Sequence, residues 1–306
     1  MKKRFRLIGI LAIIALIASI VLSIIQNSLA LQIKGEIKNW ANGQKLKISD
    51  FKCNVNLITQ NIGLKNLTLN QGNNKFKVKR GYITFDISDF ISNKNIKGIY
   101  INKAEARLEN FIPFSFPSMT GKPIYIDEIK IKNLDLQIGA SEGNNISDIN
   151  ISGSFKNIGT NQDTVFLINA VANSSFMEIQ GNFDCNDWKK RFTCKVLGED
   201  VSLGIINILE EGFLSPQIKE QLLSLYLKDI LMVKLSGKMD IIGNGEINDQ
   251  NIDSKLNFLI SEISCETDNE RIKSLVKKIN SSGEMQINYK IYGTTSNPFL
   301  TYDMIF

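Results

Sequence analysis

From residue 33 to the carboxyl end, the apolar residues recur mainly at every second position. Ile33-Gly35-Ile37, Phe51-Cys53-Val55-Leu57, Ile83-Phe85-Ile87 and Met285-Ile287-Tyr289-Ile291 alternate with polar neighbours, the pattern of strands buried on one face. Polar clusters punctuate these runs at Asn42-Gly43, Gln71-Gly72-Asn73-Asn74, Ser92-Asn93-Lys94-Asn95, Gly143-Asn144-Asn145 and Asn244-Gly245. Asn and Gly tolerate positive φ, so such clusters suit tight antiparallel connections. Intervals of roughly eight to twelve residues between turns predict an antiparallel all-β body rather than βαβ units.

Three segments carry a helical period instead. Leu203, Ile206 and Leu209 predict a short helix over 202–211, stopped at Gly212. Ser215-Pro216 reads as an N-cap with Pro at the first helical position, opening a second helix to about residue 230. Together they form a helical insert over about 202–230. Thr267 and Glu270 have capping-box spacing, and Ile272, Leu275, Val276 and Ile279 make one apolar face, predicting a helix over about 268–279. Such helices cover an end or edge of a sheet.

The amino terminus is of another kind. Leu7 to Ile25 carry no charge, about 28 Å of helix, close to the hydrocarbon thickness of a bilayer. Lys2, Lys3, Arg4 and Arg6 precede the run, so the positive-inside rule keeps residues 1–6 in the cytoplasm and sends 31–306 across the membrane. The alternative is a cleaved signal peptide ending at Ser28-Leu29-Ala30. A signal h-region is shorter, about 7–15 residues, which favours an uncleaved transmembrane signal anchor over 7–25.

Composition removes whole classes of chemistry. The 306 residues contain no histidine, which excludes His-dependent triads and the commonest metal ligand. The net charge is +5, of which the four amino-terminal positives leave +1 for the rest. A near-neutral body lacks the clustered basic footprint expected of a nucleic-acid binder. Cys53, Cys185, Cys194 and Cys265 make no CxxC pair. Cys185 and Cys194 flank a polar turn and could form a cross-strand disulfide if register allows; the other reading is four small buried hydrophobes. Ser49-Asp50-Phe51-Lys52 and Ser274-Leu275-Val276-Lys277 fit S-x-x-K without its partner motifs. Asp127-Glu128 and Glu210-Glu211 do not share a face. No metal-ligand spacing and no phosphate-binding glycine loop occurs. The expectation is a non-enzyme without a metal or cofactor.

Three stretches carry a family likeness. Residues 83–109 (ITFDISDFISNKNIKGIYINKAEARLE) show strand, short hydrophobic turn, then a strand ending near a charge. Residues 198–216 (GEDVSLGIINILEEGFLSP) show a short helix after a strand. Residues 290–303 (KIYGTTSNPFLTYD) carry Gly293, Thr294, Asn297 and Pro298 in a G-T-x-x-N-P arrangement. With a basic cap, one anchor helix and a strand-rich body, the chain resembles the AsmA-like proteins of Gram-negative envelopes, whose members are usually far longer. The resemblance implies a β-groove whose apolar interior carries phospholipid tails. The expected fold is therefore mainly β: a transmembrane helix, then a long antiparallel meander curled into a groove or open barrel, with two or three short helices. The expected function is phospholipid transport or envelope maintenance from the inner membrane, with the body periplasmic. The alternative is a structural or adaptor protein docking an envelope partner through a sealed sheet. By parity, the groove candidates are Ile33, Val55, Leu57, Phe85, Ile101, Ile126, Phe258 and Ile287.

Overall fold

The computed structural model describes residues 2–43, 46–93, 95–108, 125–138, 146–160, 162–172, 175–184, 187, 189–202, 235–265, 267–268 and 270–305, the first sixteen by backbone only. Helix α1 spans Lys2–Gly43. Fourteen strands follow: β1 Lys47–Ile48, β2 Lys52–Asn56, β3 Asn61–Gln71, β4 Asn74–Phe85, β5 Asn95–Leu108, β6 Tyr125–Ile138 and β7 Ile146–Ile158, then β8 Thr164–Ala172, β9 Ser175–Phe183, β10 Arg191–Ser202, β11 Leu235–Asn248, β12 Asn251–Cys265, β13 Met285–Thr294 and β14 Asn297–Ile305. Helix α2 (Ile87–Asn93) precedes β5, and helix α3 (Glu270–Ser282) lies between β12 and β13. All strands join one sheet in near-sequential order, β1 and β2 both pairing β3, and β14 does not return to β1. The protein is mainly β, a long groove-like meander that is not closed into a barrel.

The expected antiparallel meander needs one correction. Strands β5 and β6 pair in parallel, Ile99 against Ile129 and Ile101 against Ile131. A parallel pair needs a crossover rather than a hairpin, and here the connection is residues 109–124, outside the described residues. The helical insert at about 202–230 and the turn at Gly143-Asn144-Asn145 also lie outside them. The helix expected at 268–279 is α3.

Local chemistry moves several boundaries. Ile33, Gly35 and Ile37 lie on α1, not on a strand, because Ile33 and Ile37 are also four apart and fit a helical face. Asn42-Gly43 ends that helix rather than a hairpin. Ile87 opens α2, since the Asp86 carboxylate accepts hydrogen bonds from the Ser88 and Asp89 amides at 3.0 and 3.1 Å and acts as N-cap. These bonds, with the Ser88 hydroxyl first, hold Asp86 below the usual carboxylate range. Asn244-Gly245 is interior to β11; the turn is Asp249-Gln250, both at positive φ (45° and 69°), as a two-residue type I′ connection requires. Gly72 does stand in a tight turn, at φ 59°, between β3 and β4.

Among the described residues, no helix is long and apolar enough to cross a membrane. The run 7–25 falls largely on positions 7–17, whose side chains are outside those residues, so its membrane assignment rests on the sequence. The carboxyl half of α1 packs on the sheet: Ile37 lies against the cluster of Phe51, Leu67 and Val78.

Helix α3 seals the other end. Ile279, 2% exposed, packs with Ile260, Ile263, Met285 and Ile287. The Asn280 side chain accepts from the Ile263 amide at 3.1 Å and donates to the Ile263 carbonyl at 2.7 Å. It thus satisfies both backbone groups beside the β12 bulge at Glu262, where φ is 54°. Asn280→Ala should cost about 1–3 kcal/mol by leaving those groups unpaired, read as a lower urea midpoint with an unchanged slope.

Candidate functional site: an apolar trough

The cross-strand register assembles a continuous apolar surface on one face of the sheet. One row runs through Leu67, Val78, Ala104, Leu134, Ile151, Ala170, Met177, Gly198, Ile241, Phe258 and Ile287, each the register partner of the next. A second runs through Cys53, Leu64, Gly81, Ile101, Ile131, Gly153, Ile168, Ile179, Val196, Gly243, Leu256, Tyr289 and Tyr302. A third starts at Val55, Ile62, Ile83, Ile99, Ile129, Phe155 and Phe166, and continues through Gly181, Cys194, Gly245, Ser254, Ile291 and Leu300. No Asp, Glu, Lys or Arg occurs in any of the three. At one strand per about 4.8 Å, the second row is about 58 Å long. The opposite face carries Lys130, Ser154, Leu167, Gln180, Lys195, Asn244, Lys255 and Lys290 in a row of its own, polar except at Leu167.

The rows stay in phase only because strands carry bulges side by side. Leu64 to Leu67, Val78 to Gly81, Ile101 to Ala104 and Ile131 to Leu134 are three residues apart yet occupy the same two rows. One extra residue per strand keeps both apolar rows on one face and bends the sheet along that seam. Asn66, at φ 58°, is the extra residue in β3.

Burial divides the trough into sealed ends and an unsealed middle. Val55, Leu67 and Val78 are buried at the α1 end, and Ile241, Ile260 and Ile287 at the α3 end. Between them Ile131, Leu134, Ile151, Ile168 and Ile179 are only half-buried, while Ile149 and Phe166 on the same strands are buried. Among the described residues α1 lies mainly on β1 and β2, α3 on β12 and α2 on β5, and the cluster that holds Ile279 of α3 reaches Val201 of β10, with Met177 and Val196 packed against it. The third row is partly roofed by its own rings, Phe166 lying 6.1–6.3 Å from Phe155, Phe183 and Phe192.

The structure distributes the expected groove residues unevenly. Val55, Ile101, Phe258 and Ile287 lie in the rows. Val55 and Ile287 are buried, hence packed core at the sealed ends. Phe85 ends β4, its ring 6.1 Å from that of Phe90 on α2. Leu57 sits in the turn after β2, where the Asn56 side chain accepts from the Ile58 and Thr59 amides. Ile126 shares its register parity with Glu128 and Lys130, opposite to Ile129 and Ile131. Ile33 is helical. The rows also bring in Ile131, Ile168, Ile179 and Val196, outside the expected set, whose alternation was legible but whose partners were not.

Cys194 stands opposite Gly181 on β9 and Gly245 on β11 and carries a free thiol. The β9–β10 register therefore places Gly181, not Cys185, across from it; Cys185 itself lies outside the described residues. Burial raises the Cys194 thiol above its ordinary value, so less thiolate is present at any given pH. Its alkylation at pH 8 should run several-fold slower than that of a free thiol, and removal of any bound apolar ligand should accelerate it.

The Gly293-Thr294…Asn297-Pro298 stretch is the β13–β14 hairpin. Thr294 Oγ1 accepts from the Asn297 amide at 3.1 Å, and Gly293, at φ 105°, pairs with Pro298. A Cβ at Gly293 would lie 2.7 Å from the Asn297 carbonyl oxygen.

No family model and no curated protein matches this chain.

Proposed function

We propose that the chain is an inner-membrane-anchored AsmA-like protein with a periplasmic body. In this reading it contributes to phospholipid transport or envelope maintenance by shielding acyl chains along the trough, without covalent chemistry. The observation that carries the reading is the pair of uncharged rows through Ile131, Ile151, Ile168 and Ile179, left half-buried between two sealed ends. Apolar surface gains about 25 cal/mol for each Å² removed from water. A long apolar floor that the described protein does not cover is thus suited to the tails of an amphiphile. The uncharged run 7–25 would hold the body at the membrane.

The test is site-specific photo-crosslinking in the full-length protein. A benzoylphenylalanine at Ile168 should yield phospholipid adducts detectable by mass spectrometry, and one at Gln180, on the opposite face, should not. No adduct at Ile168 in a folded protein would transfer the lead to the adaptor reading, in which the trough is dry and sealed.

A further inference from the structure

The near-neutral total charge conceals a strong segregation. Residues 31–108 hold 14 Lys and Arg against 5 Asp and Glu, net +9, and residues 109–306 hold 18 against 26, net −8. The basic excess is concentrated by register. Lys52 pairs with Lys65, Lys65 with Arg80 and Arg80 with Lys103, so four cations stand abreast on β2, β3, β4 and β5. All four are exposed, on the face opposite the apolar rows. Like charges directly opposite one another destabilise a sheet. The nearby carboxylates are already engaged: Glu105 by Lys79, Asp50 by Lys34 and Lys38, and Asp86 by Lys97.

We infer that this ladder of Lys52, Lys65, Arg80 and Lys103 docks on an anionic phospholipid surface at the foot of α1. The inference rests on the membrane-anchored reading and adds to it which end of the sheet meets the bilayer and through which headgroups. Position along the helix supports it. The ion pair of Lys34 with Asp50, at 2.7 Å, and the Lys34 ammonium 5.6 Å from the Phe51 ring fix the start of β2 level with residue 34. That is nine residues past Ile25, about 14 Å of helix. The headgroup layer takes up about the first 6 Å, leaving about one Debye length at physiological salt. Basic residues at that distance are attracted by the negative surface potential of anionic lipids. Nucleic acid could use the same charge, but continuity with an uncharged nineteen-residue run favours the bilayer. The net-negative remainder of the chain would be repelled, which orients the trough away from the surface.

The experiment reconstitutes the full chain by detergent removal with vesicles of phosphatidylcholine alone, or containing one third phosphatidylglycerol. Acylation of individual lysines by a membrane-permeant reagent is then followed by peptide mass spectrometry. At low salt, Lys52, Lys65 and Lys103 should react about tenfold more slowly on the anionic vesicles, and half-molar salt should erase the difference. Lys255 and Lys290, near the far end of the sheet, should react equally on both. Equal rates at Lys52, Lys65 and Lys103 on the two vesicle types would overturn the proposal. Protection by a single-stranded oligonucleotide without protection by anionic vesicles would overturn it in favour of nucleic acid. Failure of the anchor is read separately, as failure to float with phosphatidylcholine vesicles, and failure of the trough as absent lipid adducts at residue 168. Lys75 and Lys77, on β4 with Arg80, should share that protection in the parent and lose it in a K52Q/K65Q/R80Q/K103Q variant, which should keep any lipid adducts.

Discussion

Ile179→Asp should reduce phospholipid adducts at residue 168 by about fivefold or more while leaving the sheet folded. Ile179 lies in the second row opposite Ile168 and Val196 and is half-buried. A carboxylate there can keep water while the trough is empty, so the folded protein tolerates it. Acyl chains laid over the floor would strip that water, and an unpaired charge out of water is strongly disfavoured. Even the mutational scale for an uncompensated polar group, about 1–3 kcal/mol, corresponds to roughly 5- to 150-fold in occupancy. Gln180→Asp changes the same strand on the polar face and serves as the control, with adducts expected at the unsubstituted level. Unchanged circular dichroism with full adduct yield in Ile179→Asp would remove the trough from the lipid pathway.

The largest stability effect should come from Ile279→Ala. This side chain is 2% exposed and inserts α3 into the cluster of Ile260, Ile263, Met285 and Ile287. Truncating a buried Ile to Ala typically costs about 2–5 kcal/mol, from lost transfer energy plus the cavity left behind. The helix touches the sheet mainly at β12, so undocking is a local event before it is a global one. Hydrogen exchange should therefore accelerate first at amides of β12 and β13 near Ile260 and Met285. Protection at β3 and β4, packed against α1, should change far less. Lys277→Ala, exposed on the same helix, should leave both readouts within about 0.5 kcal/mol of the parent. Equal behaviour of the two variants would mean that α3 is not the seal of that end.

Part of this architecture was legible in the residues. Alternation over 83–85 and 285–291, turn clusters such as Gln71–Asn74 and the apolar face of 272–279 located strands, a hairpin and a helix where the structure has them; of the first run, Ile87 passed from the expected strand to α2. Those signals are local, because a strand's two faces and a helix's stripe repeat within one segment. Signals with two local solutions were ambiguous. Ile33 and Ile37 satisfy both a strand's parity and a helix's i, i+4 spacing, and continuity with the preceding helix decided the matter. Asn244-Gly245 has turn chemistry, yet thirteen register pairs with β12 carry β11 on to Asp249-Gln250, where the chain reverses.

Parity along one strand could not reveal the bulge seam. Counting by twos from Ile126 leads to Glu128 and Lys130, whereas the apolar row resumes at Ile129 and Ile131. Three-residue steps at Leu64–Leu67, Val78–Gly81, Ile101–Ala104 and Ile131–Leu134 look like lost period in isolation and become aligned bulges once four strands lie side by side. The parallel pairing of β5 with β6 and the opposition of Gly181 to Cys194 are of the same kind. So is the alignment of Lys52, Lys65, Arg80 and Lys103. The residues by themselves determined a one-faced sheet and an apolar amino-terminal run, since both follow from periods of a few positions. Only tertiary pairing decided which strands are neighbours, where an extra residue is absorbed and which half-buried side chains meet, because backbone hydrogen bonds between distant segments fix register and local sequence does not.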